Sequence, residues 1–117
     1  MDHKLVEAYI LSMPSAFLDY PFGEHVGVYK VPVGQPKADT GEKEAKLFAI
    51  ISENSIPLQV SLKCDPQLAE VLREKYETVL PGYHLSKKHW NTILLTGQVP
   101  MDELESLILH SYNLVTA

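Results

Sequence analysis

The chain has 117 residues, 45% of them hydrophobic and 21% charged, which is the size and make-up of one ordinary globular domain and excludes disorder, collagen and coiled coil. Ten Lys and Arg against fifteen Asp and Glu leave a net charge of −5, which argues against a basic coat for bulk DNA, because phosphate affinity comes from Lys and Arg releasing counterions. A single cysteine, Cys64, excludes an intrachain disulfide, a CxxC redox pair and a cysteine zinc cluster, and no apolar run approaches the roughly 20 residues of a membrane helix.

The start, Met1-Asp2-His3-Lys4, leads into an amphipathic pattern rather than a signal-peptide core, which points to a bacterial cytoplasmic protein with one domain over residues 1–117. In that pattern Leu5, Val6, Tyr9, Ile10 and Met13 share a helical face, with Asp2 placed as N-cap and Pro14 as the stop. His25–Val31 alternates as a strand. Pro32–Lys46, rich in Pro, Gly and charge, reads as a long loop. Leu47–Ile51 is apolar on both faces, as in a central strand, and Ser52–Ser55 is turn-forming. Leu58, Val60 and Leu62 alternate with Gln59, Ser61 and Lys63 as a half-buried strand, and Pro57 puts its start at an edge or a bend.

Cys64-Asp65-Pro66 is a helix start, with Asp65 as N-cap and Pro66 in the first helical position, followed by the stripe Leu68, Val71, Leu72 and Tyr76. After the Pro81-Gly82 turn, Tyr83–Ser86 and His89–Leu95 read as two strands joined near Ser86–Lys88. Trp90, Thr92 and Leu94 share one face of the second, and the size of the indole assigns that face to the helices. Pro100 and a cluster of carboxylates open a last helix, with Leu104, Leu107, Ile108, Ser111, Tyr112 and Val115 on its inner face. The order α-β-β-β-α-β-β-α gives an α+β fold in two layers, a five-stranded antiparallel sheet with helices on one face.

The chemistry-bearing motifs GxGxxG, GxxxxGK[ST], HExxH and GxSxG do not occur, so no enzyme, catalytic residue or cofactor is expected. The histidines at 3, 25, 84, 89 and 110 are scattered, only His84 and His89 being near neighbours, so no metal site is expected either. Cys64 reads as a small packing residue at a strand-to-helix corner.

The densest segment is Pro81–Thr92, with two Lys, two His, a Tyr, an Asn and the only Trp. Between Lys63 and His89 the formal charges are five positive (Lys63, Arg73, Lys75, Lys87, Lys88) against four negative (Asp65, Glu70, Glu74, Glu77), a local excess on an acidic chain. The stretch from Pro100 has Asp102, Glu103 and Glu105 and no Lys or Arg. Any phosphate site therefore falls on Lys63, Tyr83, His84, Lys87, Lys88, His89 and Asn91, with Lys on phosphates and aromatics against bases or sugars. Two loop lysines imply weak, salt-sensitive binding. The plain structural reading of the same segment is a solvated hairpin over a buried Trp90.

Five blocks carry a resemblance that runs through nearly the whole chain: Asp19-Tyr20-Pro21-Phe22-Gly23, Val28-Tyr29-Lys30-Val31, Val60–Pro66, Pro81–Thr92, and Val99-Pro100 leading into Leu107-Ile108 and Ser111-Tyr112. With these blocks the chain resembles the MmcQ/YjbR family. The resemblance implies a helix–three strands–helix–two strands–helix fold, similar in outline to secretion chaperones and loosely to frataxin-like folds. It also implies DNA binding by a "double-wing" shape, whose wings here would be the Pro32–Lys46 loop and the Tyr83–His89 hairpin, and no established enzyme activity. The first wing carries Lys37, Lys43 and Lys46 against Asp39, Glu42 and Glu44, which cancel. The alternative is a protein-interaction adaptor resembling secretion chaperones, with exposed sheet edges for a partner and no nucleic-acid role.

Overall fold

Asp2 opens the first helix, α1 (His3–Leu11), its Oδ1 accepting the Lys4 N–H at 2.9 Å. The computed structural model describes residues 2–117. The helix stops at Leu11, before Pro14, and its buried stripe is Val6 and Ile10, continued by Met13. Leu5, expected on that face, is 61% exposed: the nine-residue helix buries only a narrow stripe, and Leu5 falls just outside it.

The sheet has six antiparallel strands rather than the five expected, in the order β1-β2-β3-β4-β6-β5. They are β1 (Phe17–Asp19), β2 (Val26–Val33), β3 (Glu44–Ser52), β4 (Gln59–Lys63), β5 (Val79–Pro81) and β6 (Trp90–Leu94). The sixth is β1, which pairs Phe17–Asp19 with Val28–Lys30 and is too short to show an alternation of its own. The expected strand Tyr83–Ser86 is a loop; Val79–Pro81 takes its place at the edge beside β6. The expected loop Pro32–Lys46 is mostly strand at its two ends, since Pro32 pairs with Ala45 and Val33 with Glu44, and only residues 34–43 turn. Pro32 is tolerated because it sits beyond the part of β2 that β1 covers.

Helices α1, α2 (Pro66–Lys75) and α3 (Met101–Thr116) share a single core with one face of the sheet. Tyr29, Ala49, Ile51, Val60, Leu62 and Ile93 from the strands meet Val6, Ile10, Ala69, Leu72, Leu104 and Ile108 from the helices. Full burial of side chains such as Ile108 and Leu104 contributes about 1.5–3 kcal/mol each, which gives the two layers their cohesion. A bulge between Tyr29 and Lys30 turns Phe48 inward beside Ala49, where its ring meets Tyr112 edge-on at 5.4 Å. Ser111 ties α3 to two strands: its hydroxyl donates to the Phe48 carbonyl at 2.5 Å and accepts the Lys63 N–H at 3.0 Å.

Helix α2 begins as expected, with Asp65 Oδ2 accepting the Gln67 and Leu68 N–H groups at 3.1 Å each. Its inner face differs by one residue from the expected stripe: Ala69 is buried and Val71 is 56% exposed. A small residue there lets the helix backbone approach β6 closely enough for the Ala69 carbonyl to accept from Asn91 Nδ2 at 3.3 Å. The α3 stripe is as expected.

Trp90 is 9% exposed but lies on the face opposite to the one expected. Asn91 and Ile93 register with Leu62 and Val60 on the helix side, which turns Trp90 and Thr92 outward, beside Lys63 and Ser61. Strand β6 is apolar on both sides, so alternation alone does not choose. The choice is made by Asn91, whose amide finds its partners on α2, and by the loop that covers the indole on the other side.

Candidate functional site

The face of the sheet away from the helices alternates Val26 and Val28 with Leu47, Ile50 and Ser52 on the next strand, then Gln59 and Ser61, then Thr92. Two segments rise from this floor. One is the β1–β2 connection, which carries Phe22; the other is the β5–β6 connection, residues 82–89, which carries Tyr83, His84 and Leu85. Between them lies an open cleft of about 440 Å³, within the range of ligand pockets. Its walls are aromatic and solvent-facing: Phe22 is 69% and Tyr83 68% exposed. Its floor is apolar at Leu47 and Ile50 and polar at Ser52, Gln59 and Ser61, with no Asp, Glu, Lys or Arg among the described lining residues. The Ser61 and Thr92 hydroxyls bond each other at 2.8 Å, and Thr92 Oγ1 also accepts the Tyr83 N–H at 3.2 Å, so the floor's own hydroxyls pin the tall wall.

That wall is held from several directions. Gly82 N–H donates to the Trp90 carbonyl at 2.9 Å and Trp90 N–H to the Ser86 carbonyl at 2.9 Å, closing the loop over the indole. Gly82 is needed there, because a Cβ would stand 2.7 Å from Trp90 Cβ and 3.1 Å from the Trp90 carbonyl oxygen. From below, the Arg73 guanidinium donates to the carbonyls of Lys87 and Trp90 and, through Nε, to Asn91 Oδ1. His84 adopts φ 57°, a left-handed conformation uncommon outside glycine, and its ring lies 4.1 Å from that of Tyr83.

The seven residues expected to meet phosphate divide accordingly. Tyr83 and His84 line the cleft. Lys88 and His89 are exposed on the same loop, and Lys63 stands on the same face at the end of β4, opposite Trp90. Lys87 is exposed, but its ammonium donates to the Gly82 carbonyl at 3.0 Å, bracing the loop from within. Asn91 is a correction: it is 2% exposed, on the helix side, with both ends of its amide engaged by α2. A nucleic-acid-contacting role for it is closed off, because its side chain is on the far side of the sheet from the cleft.

Sequence reading missed Arg73, Phe22, Leu47 and Ile50. Arg73 carried a signal, being the only arginine and one helical turn beyond Ala69 on α2. The others had none, since they reach the cleft from separate strands and loops. Cys64 is buried, and that burial, reinforced by the neighbouring Asp65 charge against the opposing pull of Arg73, pushes its thiol up to about 11. Among the described residues one set of metal-ligating side chains converges, His3, Glu7 and Glu53, on the α1 side of the sheet. Among the described residues, no helix is long and apolar enough to cross a membrane.

Comparison with known proteins places this geometry among relatives. The YjbR family model matches residues 11–114. The chain is 41% identical over 76 residues to "Uncharacterized protein YjbR" of Escherichia coli K12, covering 65% of this chain and 64% of that protein's length. It is 31% identical over 114 residues to "Uncharacterized protein YbdF" of E. coli O157:H7, covering 97% of this chain and 83% of that one. The crystal structure of Deinococcus radiodurans protein DR2400 superposes with a TM-score of 0.82 at 33% identity, covering 94% of this chain and 75% of that one. A Pseudomonas syringae protein superposes with a TM-score of 0.73 at 25% identity, covering 97% and 98% of the two chains.

Proposed function

The chain belongs to the YjbR family, and from that premise we propose that it is a non-enzymatic, weak binder of single-stranded DNA. It seats a base in the cleft between Phe22 and Tyr83 and meets the flanking phosphates with Lys63, Lys88 and His89. The observation that carries this reading is a coincidence on one loop: residues 82–89 supply the aromatic wall of the cleft and also carry the exposed Lys88 and His89. Bases stack on aromatic faces irrespective of sequence, and a concave, uncharged floor takes a base only when it is out of the duplex. The wing formed by the 34–43 turn adds nothing to affinity, because Lys37 and Lys43 cancel Asp39 and Glu42. A sheet-edge adaptor is less well supported, since the edge strands β1 and β5 are three residues each and the latter ends in Pro81.

The test is a titration of the full chain with a short oligothymidine at low salt, read by Trp90 emission, because the indole lies directly under the loop that would move. Few phosphate contacts predict a Kd on the order of 10⁻⁴–10⁻⁶ M that weakens steeply with salt. Tyr83→Ala and Lys88→Glu should each weaken it several-fold. No saturable binding at low salt, or binding indifferent to both substitutions, overturns the proposal.

A further inference from the structure

His3 and Glu7 stand one helical turn apart on α1 and therefore share a face. Glu53 approaches from the end of β3, anchored by its N–H, which donates to the His25 carbonyl at 2.8 Å. His3 Nε2 lies 3.5 Å from Glu7 Oε2 and 3.7 Å from Glu53 Oε2, and the three ligand atoms are all within 4.8 Å of one another. The carboxylate side chains are only 14% and 15% exposed. His3 Nε2 itself is sealed from solvent and has no hydrogen-bond partner among the described residues. Behind the cluster, each carboxylate oxygen is oriented by a phenol: Tyr29 donates to Glu7 Oε2 and Tyr20 to Glu53 Oε2, both at 2.7 Å. The position of Glu53 depends on Gly27, where a Cβ would stand 2.7 Å from Glu53 Oε2.

We propose that His3, Glu7 and Glu53 form a binding site for one divalent transition-metal ion of the zinc or cobalt class. A simple ion pair would draw the imidazolium to about 2.7–2.9 Å from an oxygen. The separations here are longer than that. The His3–Glu7 separation of 3.5 Å falls on the donor–donor edge of a tetrahedral site, where bonds of about 2.0–2.2 Å place neighbouring donors roughly 3.3–3.6 Å apart, and the His3–Glu53 separation of 3.7 Å lies just beyond it. One imidazole and two carboxylates suit zinc, cobalt, nickel or manganese ahead of calcium, and the two phenols are the outer-shell donors that such carboxylates require. The ion would neutralise two converging carboxylates and join α1, the end of β3 and, through Tyr20, the segment that carries Phe22. The site is thus a clamp on one wall of the cleft.

The test uses the full chain free of any affinity tag. Co²⁺ is titrated while its visible absorption is followed, with Zn²⁺ as competitor, and zinc stoichiometry is measured by equilibrium dialysis. One equivalent is expected, displaced by Zn²⁺. His3→Ala and Glu53→Gln should each weaken binding at least 10-fold, and Tyr29→Phe, which leaves all three ligands in place, about 10-fold. Should Glu53→Gln fail to fold by circular dichroism, His3→Ala carries the test, because it alters only the first turn of α1. Absence of stoichiometric binding in the parent chain, or affinity unchanged in His3→Ala, overturns the proposal.

Discussion

Arg73 Nε donates to Asn91 Oδ1 at 2.7 Å, joining the last turn of α2 to the second residue of β6. The same guanidinium reaches the Lys87 and Trp90 carbonyls, so one side chain supports the sheet and the loop above it. Asn91 completes the link by donating to the Ala69 carbonyl on α2.

Arg73→Ala should therefore destabilise the domain by about 2–3 kcal/mol, since it leaves the buried Asn91 amide oxygen without its donor and releases the Lys87 carbonyl, whereas the Trp90 carbonyl keeps the Gly82 N–H. Arg73→Lys should recover less than half of this, because an ammonium cannot reproduce the planar fork. Urea unfolding of both variants, with Asn91→Ala and the double mutant, should show the pair to be less than additive. Additive losses would mean the two side chains act independently.

Asp65 takes two backbone donors of α2 on one carboxylate oxygen. Asp65→Ala should cost about 1 kcal/mol, and Asp65→Asn noticeably less, because asparagine caps nearly as well. Chemical denaturation decides this; equal losses in the two variants would show that the cap itself is not the source.

Gly82→Ala should lift the 82–89 loop, because the nearest atoms to the new methyl are Trp90 Cβ and the Trp90 carbonyl oxygen, neither of which can swing aside. A loss of about 1–3 kcal/mol is expected, with Trp90 emission shifted to the red as water reaches the indole. An unshifted spectrum with unchanged stability would show that the loop has room to spare.

The Cys64 thiol is pushed up to about 11, from an ordinary value near 9, by burial first and by Asp65 second. Folding thus favours the neutral thiol, a contribution fully present below the ordinary value and lost as pH rises through the folded one. Alkylation by iodoacetamide at pH 8 should accordingly be at least 100-fold slower in the native protein than in the denatured chain, with the native rate rising steeply above pH 10. A native rate near that of the denatured chain would mark Cys64 as an accessible, reactive thiol.

Elements whose signals are local are legible in the sequence. The Asp65 cap reaches no more than three residues along the chain, and the α3 stripe from Leu104 to Val115 repeats with the helical period, so neighbours along the chain suffice to define them. Strands β1 and β5 are not legible there, since three residues carry no period and exist as strands only through β2 and β6. The cleft is half legible: Tyr83, His84, Lys88 and His89 lie together in sequence, while Phe22, Leu47 and Ile50 join them only across the sheet.

By itself the sequence determined the three helices, the antiparallel α+β class and the loop on which cations and aromatics are concentrated, because propensity, capping and periodicity act within a few residues. Only the tertiary structure decided which face of β6 is inside. Both faces are apolar, so the outcome rests on partners elsewhere in the chain: Arg73 and Ala69, 18 and 22 residues away, draw Asn91 to the helices, and Trp90 turns out beneath Gly82. The same holds for His3, Glu7 and Glu53, which converge only because α1 packs against the end of β3 and Gly27 leaves space for a carboxylate between them. Contacts between distant segments depend on register and packing, which no local pattern encodes.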